Sequence, residues 1–193
     1  MAKSFDLKKA ETPNEIKLNV LDVGAGYGLA KVIYPNDNIT TLDCPGSKAD
    51  IEVDLETADF LKLDLPKFDI ILCSHVLDHI TPRAVDGVLA KLFEATVPNG
   101  QIVVKVPSVE WAAEQIASEK ATIAVLFHLW GAHNNKYDYH KWGYTIGGLR
   151  NNVKRAGYII GKAGVGHYEI VVNDVVYPAQ ETYVIGIKPK DDE

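Results

Sequence analysis

The sequence predicts an α/β fold: a doubly wound sheet, mostly parallel, with an antiparallel C-terminal edge strand. Three observations carry that expectation. Through the first two thirds of the chain, apolar and often β-branched runs alternate with segments of helical spacing, the rhythm of a parallel sheet covered by helices on both faces. The first run, Leu18-Asn19-Val20-Leu21-Asp22-Val23, breaks into glycines at alternate positions, Gly24, Gly26 and Gly28, so it reads as a buried strand followed by a tight turn. In the last third the apolar runs follow one another with no convincing helix between them, which calls for antiparallel pairing.

Residues 1–15 form a polar leader lacking the apolar stretch of a signal peptide, and 16–193 read as one domain. At 193 residues and 47% hydrophobic composition, the chain is long enough to bury a core of its own. Strands are expected at 18–23, 39–42, 51–53, 68–73, 102–106, 158–160, 168–172 and 183–187. Helices are expected over 81–97, 109–129 and 145–156. Thr81-Pro82 supplies an N-cap and a proline at the first helical position, and Pro98-Asn99-Gly100 stops that helix and turns into the next strand.

Charge and cysteine content narrow the function. Charged residues make up 24% of the chain and the net charge is −6. No run of Lys and Arg marks a nucleic-acid-binding face, and nothing approaches the length of a membrane span. Cys44 and Cys73 stand outside any CxxC motif, which fits small buried side chains in a reducing, cytoplasmic compartment.

The glycine turn sits where open α/β sheets hold adenosine-bearing cofactors. Its spacing excludes the dinucleotide pattern G-x-G-x-x-G, whose third glycine would fall at Leu29. What stands there is Asp-x-Gly-x-Gly-x-Gly, from Asp22 to Gly28. Asp43 ends the second strand about 20 residues past the turn, the place for a carboxylate that accepts from ribose hydroxyls. Asp54, near the end of the third strand, is placed to accept from an adenine amino group, with Leu55 packing on the ring.

These residues resemble motif I of the class I S-adenosylmethionine-dependent methyltransferases. The segment from Phe68-Asp69 through Ser74, His75, Val76-Leu77 and His79-Ile80 resembles a block of the methyltransferases that act mostly on small molecules, and 89–107 resembles the block after it. The resemblance implies a single-domain Rossmann-like fold with S-adenosylmethionine as cofactor. Its binding residues would be Asp22, Gly24, Ala25, Gly26, Tyr27, Gly28, Asp43, Cys44, Asp54, Leu55, Ser74 and His75. Cys73-Ser74-His75-Val76 replaces the (D/N)-P-P-(Y/F) sequence associated with amino-methylation of DNA bases, which argues against that reaction; the resemblance implies a small-molecule substrate, expected to offer an oxygen nucleophile.

Residues 128–144 hold three histidines, two tryptophans and three tyrosines, a composition suited to a small-ligand pocket, and they read as a substrate-side loop. Gly131, Tyr137-Asp138 and His140, followed by Ala156-Gly157-Tyr158, resemble a little-characterised branch of methyltransferases. Tyr137, Tyr139 and His140 are the expected substrate contacts, and His140, then His75, the expected general base. Tyr137 and Lys141 match a Y-x-x-x-K pair, but the cofactor turn is wrong for short-chain dehydrogenases. His75 and His79 stand four apart without the glutamate of H-E-x-x-H or a signposted third ligand, and no metal is expected. Two other readings stay open: a nicotinamide-dependent oxidoreductase on a related fold, and a non-catalytic cofactor-binding partner protein.

Overall fold

The computed structural model describes residues 17–26 and 28–190; the polar leader and Tyr27 lie outside that range. Strands form at β1 (Asn19–Val23), β2 (Asn38–Asp43), β3 (Ile51–Glu52), β4 (Phe68–Ser74), β5 (Thr96–Pro107), β6 (Ile159–Val172) and β7 (Val175–Ile187). Helices are α1 (Leu29–Ile33), α2 (Ala58–Lys62), α3 (Pro82–Ala95), α4 (Val109–Ala117), α5 (Ile123–Trp130) and α6 (Ile146–Arg155), with a 3₁₀ turn at Leu77–His79. The strands lie side by side in the order β3-β2-β1-β4-β5-β7-β6. The first five are parallel, and β7 runs antiparallel between β5 and the edge strand β6.

β1 is flanked on both sides and covered on both faces, which is why its sequence is apolar from Val20 to Val23 except at Asp22. Leu21 and Val23 join the larger core beneath α2, α3 and α6, with Phe60, Leu89, Leu92, Leu149 and Val153. Val20 faces the other way, packing with Ala30, Leu72 and Val103. The sheet order reverses direction between β1 and β4, which opens a crevice beyond the carboxyl ends of the parallel strands. Gly24, Asp43 and Ser74 all stand at that end.

Four local expectations change. The helix expected over 109–129 is two, broken at 118–122, where Glu119 takes a positive φ of 58°. The second helix reaches Trp130, so the loop expected from 128 begins at Gly131. The separate strands at 158–160 and 168–172 are one, and residues 98–100 lie inside β5 beside a register shift against β4 rather than before it. Gly164 and Gly166, in the gap expected between those strands, serve the pairing: they oppose Tyr183 and Glu181, whose side chains occupy the space a Cβ would need. Among the described residues, no helix is long and apolar enough to cross a membrane.

His128 joins α5 to the hairpin. It is buried, and its Nε2 donates to the Ser108 carbonyl at 2.9 Å while Nδ1 accepts from the Tyr168 hydroxyl at 2.8 Å. Those partners use both nitrogens of a neutral ring, and burial pushes its pKa down to about 4. Between pH 6.5 and about 4 the unfolded chain therefore binds a proton here that the folded chain does not. Stability is full above this window and falls as pH drops through it, by up to about 1.4 kcal/mol per pH unit from this group. Urea melts across that window should show the slope in the native protein and a flatter one in His128→Gln; equal slopes would remove His128 as the cause.

Candidate functional site

The turn after β1 is held from three sides. Gly24 has φ +70°, and a Cβ there would stand 2.2 Å from Cγ2 of Val76, so only glycine fits. Its amide donates to the Leu42 carbonyl of β2 at 2.8 Å. Beneath it, buried Asp22 accepts from the Ala30 amide at 3.1 Å, which fixes the start of α1, and burial pushes this carboxyl above its ordinary value. Asp22 thus orients the turn from below and is not part of the cleft lining.

A cleft of about 550 Å³ opens over this turn. Of the residues expected to bind the cofactor, Gly24, Gly26, Asp43, Cys44, Asp54, Leu55, Ser74 and His75 line it; Ala25 and Gly28 do not, and Tyr27 lies outside the described residues. Asp43 caps the end of β2, where Oδ1 accepts from the Cys44 amide at 2.6 Å and Oδ2 from the Gly26 amide at 3.1 Å. Nothing stands within 4 Å of a Cβ placed on Gly26, so the main chain there is open to the cleft. A bare backbone, an anchored carboxylate and a cleft of small-ligand size fit an adenosine-bearing cofactor.

Across the cleft from the turn stand Asn134, Asn135, Tyr137, Asp138 and Lys141 from the loop after α5. Lys141 forms an ion pair with Glu56 and does not pair with Tyr137. Tyr139 is absent from the lining and stacks on His133 at 4.1 Å between ring centroids. His140 is absent as well: its Nδ1 donates to the His128 carbonyl at 3.0 Å, and burial pushes its pKa down.

His75 and His79 both line the cleft, and His75 directly follows β4. His75 is backed by charged partners. It has φ 54°, a left-handed conformation that costs a non-glycine residue about 1–3 kcal/mol and gathers at functional sites. Its amide donates to the Lys105 carbonyl at 2.8 Å. Its Nε2 donates to Glu181 Oε2 at 3.1 Å, while Lys105 Nζ donates to the other carboxylate oxygen at 2.7 Å. Burial pushes the Glu181 carboxyl up, but the bonds from His75 and Lys105 outweigh it and hold the group below its ordinary range. Glu181 and Lys105 escaped the sequence reading; a charged residue inside the apolar run 102–106 was a usable signal at Lys105, whereas Glu181 falls before the strand expected at 183–187.

A methyltransferase-domain family profile matches residues 4–160 of the chain. The chain belongs to that family. It is a class I methyltransferase, and S-adenosylmethionine is its cofactor. The fold is shared with an O-methyltransferase family protein from Burkholderia thailandensis, at 14% identity and a TM-score of 0.60, over 92% of this chain and 52% of that one. A methyltransferase from Methanosarcina mazei aligns at 12% identity and a TM-score of 0.60, over 92% of this chain and 95% of the other. Human N-acetylserotonin methyltransferase, solved with S-adenosylmethionine, aligns at 16% identity and a TM-score of 0.55, over 89% of this chain and 48% of that one. The methyltransferase thus spans about half the length of the Burkholderia and human proteins. No curated protein matches the sequence.

The two glycines separate folding from binding. Gly24→Ala should destabilise the methyltransferase by about 2 kcal/mol or more, because a strained φ and an overlap with Val76 add together. Gly26→Ala should melt within about 2 °C of the native protein yet bind S-adenosylhomocysteine at least tenfold more weakly by calorimetry. Native affinity in Gly26→Ala would show that the cofactor does not approach this backbone.

Proposed function

We propose that this methyltransferase methylates an oxygen of a polar small molecule, which enters between the glycine turn and the loop after α5, with His75 as general base. The observation that carries this reading is the position of His75, on the cleft wall and backed by Glu181. S-adenosylmethionine, when bound, supplies a methyl group already activated on a sulfonium, so the protein's task is to position an acceptor and take its proton. Gly26 admits the donor close to the main chain, Asp43 accepts from its ribose hydroxyls, and Asp54 and Leu55 flank its adenine.

Because Nε2 of His75 carries its hydrogen toward Glu181, the lone pair of the neutral ring is on Nδ1. Nδ1 takes the acceptor's hydroxyl proton, and the buried Glu181 carboxylate stabilises the imidazolium that results. His140, the other histidine of this reading, is outside the cleft lining, which supports His75 over it. Asn134, Asn135, Tyr137 and Asp138 give the acceptor side hydrogen-bonding groups, in favour of a polar acceptor. The free thiols of Cys44 and Cys73 support a reducing compartment, in keeping with a cytoplasmic enzyme.

Donor consumption measured against a panel of hydroxyl and amine compounds tests the reading. S-adenosylhomocysteine should accumulate with at least one hydroxyl compound. Asp43→Ala should weaken donor binding tenfold or more, and His75→Gln should lower kcat by about 10²–10⁴. Turnover confined to amines, or an undiminished kcat in His75→Gln, would overturn it.

A further inference from the structure

Behind the cleft wall, Asp78, His79 and His140 converge in an arrangement that hydrogen bonding leaves incomplete. Oδ2 of Asp78 stands 3.1 Å from Nε2 of His140 and 3.6 Å from Nε2 of His79. The Asp78 side chain is only 3% exposed, yet neither carboxylate oxygen receives an aligned hydrogen bond. A buried carboxylate without a donor is costly, and native structures rarely leave one so. The two rings deepen the deficit. Each uses its Nδ1 on a main-chain carbonyl, His79 on Tyr139 at 3.2 Å and His140 on His128 at 3.0 Å. A carbonyl only accepts, so both Nδ1 atoms carry hydrogen, and in neutral rings both Nε2 atoms present lone pairs to a carboxylate.

Three acceptors facing one another require a cation. A ring whose Nδ1–H is held by a carbonyl while Nε2 stays bare is also the arrangement that orients histidine ligands around metals. The spacing fits as well: bonds of about 2.0–2.1 Å to a tetrahedral ion place its ligands about 3.3 Å apart, between the 3.1 and 3.6 Å observed. His79, with 23% of its side chain exposed and on the cleft lining, gives an ion and one water a way in.

We propose that Asp78, His79 and His140 bind one divalent transition-metal ion of the zinc type, through a carboxylate oxygen and the two Nε2 atoms. The set of two imidazoles and one carboxylate suits zinc rather than magnesium or calcium, and three protein ligands leave a fourth position for water. The ion joins two parts of the chain. Asp78 and His79 lie in the turn after β4, and His140 lies in the acceptor-side loop, which also meets that turn through the Lys141 and Trp142 amides on the Asp78 carbonyl at 2.7 and 3.2 Å. The metal therefore pins the acceptor wall of the cleft, and the inference stands apart from the choice of methyl acceptor.

Full-length protein, free of any affinity tag and stripped with chelator, is titrated with Co²⁺ alone and then with Zn²⁺. One Co²⁺ per chain should give the intense visible bands of a four-coordinate ion, and Zn²⁺ should displace it. Zn²⁺ at a hundredfold excess over its Kd should raise Tm by about 5–10 °C. His79→Gln and Asp78→Asn should lose the bands and the Tm shift, and His133→Gln, an exposed histidine of the same loop, should keep both. If Asp78→Asn does not fold, His79→Gln, altered at a partly exposed position, carries the test. Absence of four-coordinate bands in the native protein, or native binding in His79→Gln, would overturn the site and leave Asp78 sharing a proton with His140.

Discussion

The main chain of Gly24 and the side chain of Val76 lie so close that no Cβ fits between them. That contact presses the turn after β1 against the segment after β4, at the point where the sheet reverses its order. The rest of the site is arranged around it. A larger residue at position 24 would part the two segments, opening the cleft floor and shifting the register of Ser74 and His75 above it. Because parallel strands deliver their carboxyl ends to one edge, the same contact brings the acidic end of β2 and the histidine after β4 onto one wall.

Charge is apportioned along that wall by partners. Asp43 is held by two amides, and Glu181 by a lysine and a histidine. The first leaves a carboxylate at the cleft surface, and the second places one behind an imidazole. Gly166 has a part in the second arrangement, since a Cβ there would lie 2.7 Å from Glu181 Oε1. Lys105 and Glu181 lie on β5 and β7 and His75 directly follows β4, so this contact depends on the antiparallel insertion of β7 beside β5.

The parallel half of the fold was legible because buried parallel strands spell themselves as continuous apolar runs. The glycine turn and Asp43 were legible because backbone approach and strand-end chemistry demand particular residues at fixed spacing. Residues joined only through space were not. Glu181 lies 106 positions from His75, and Asp78 meets His140 across a loop, so no spacing rule links them. The break between α4 and α5 lacks glycine and proline, and its marker is the positive φ of Glu119, which no residue type announced. The gap expected between 160 and 168 erred in the opposite direction: glycines there stand opposite large residues of β7 and permit one continuous strand.

The central claim is that the donor lies against the bare backbone at Gly26, with its ribose on Asp43. A crystal structure of the methyltransferase grown with S-adenosylhomocysteine tests it most directly. The account predicts both ribose hydroxyls within hydrogen-bonding distance of the Asp43 carboxylate and the amino acid portion of the ligand over the glycine turn. A ligand bound with its ribose away from Asp43, or seated outside this cleft, would contradict it.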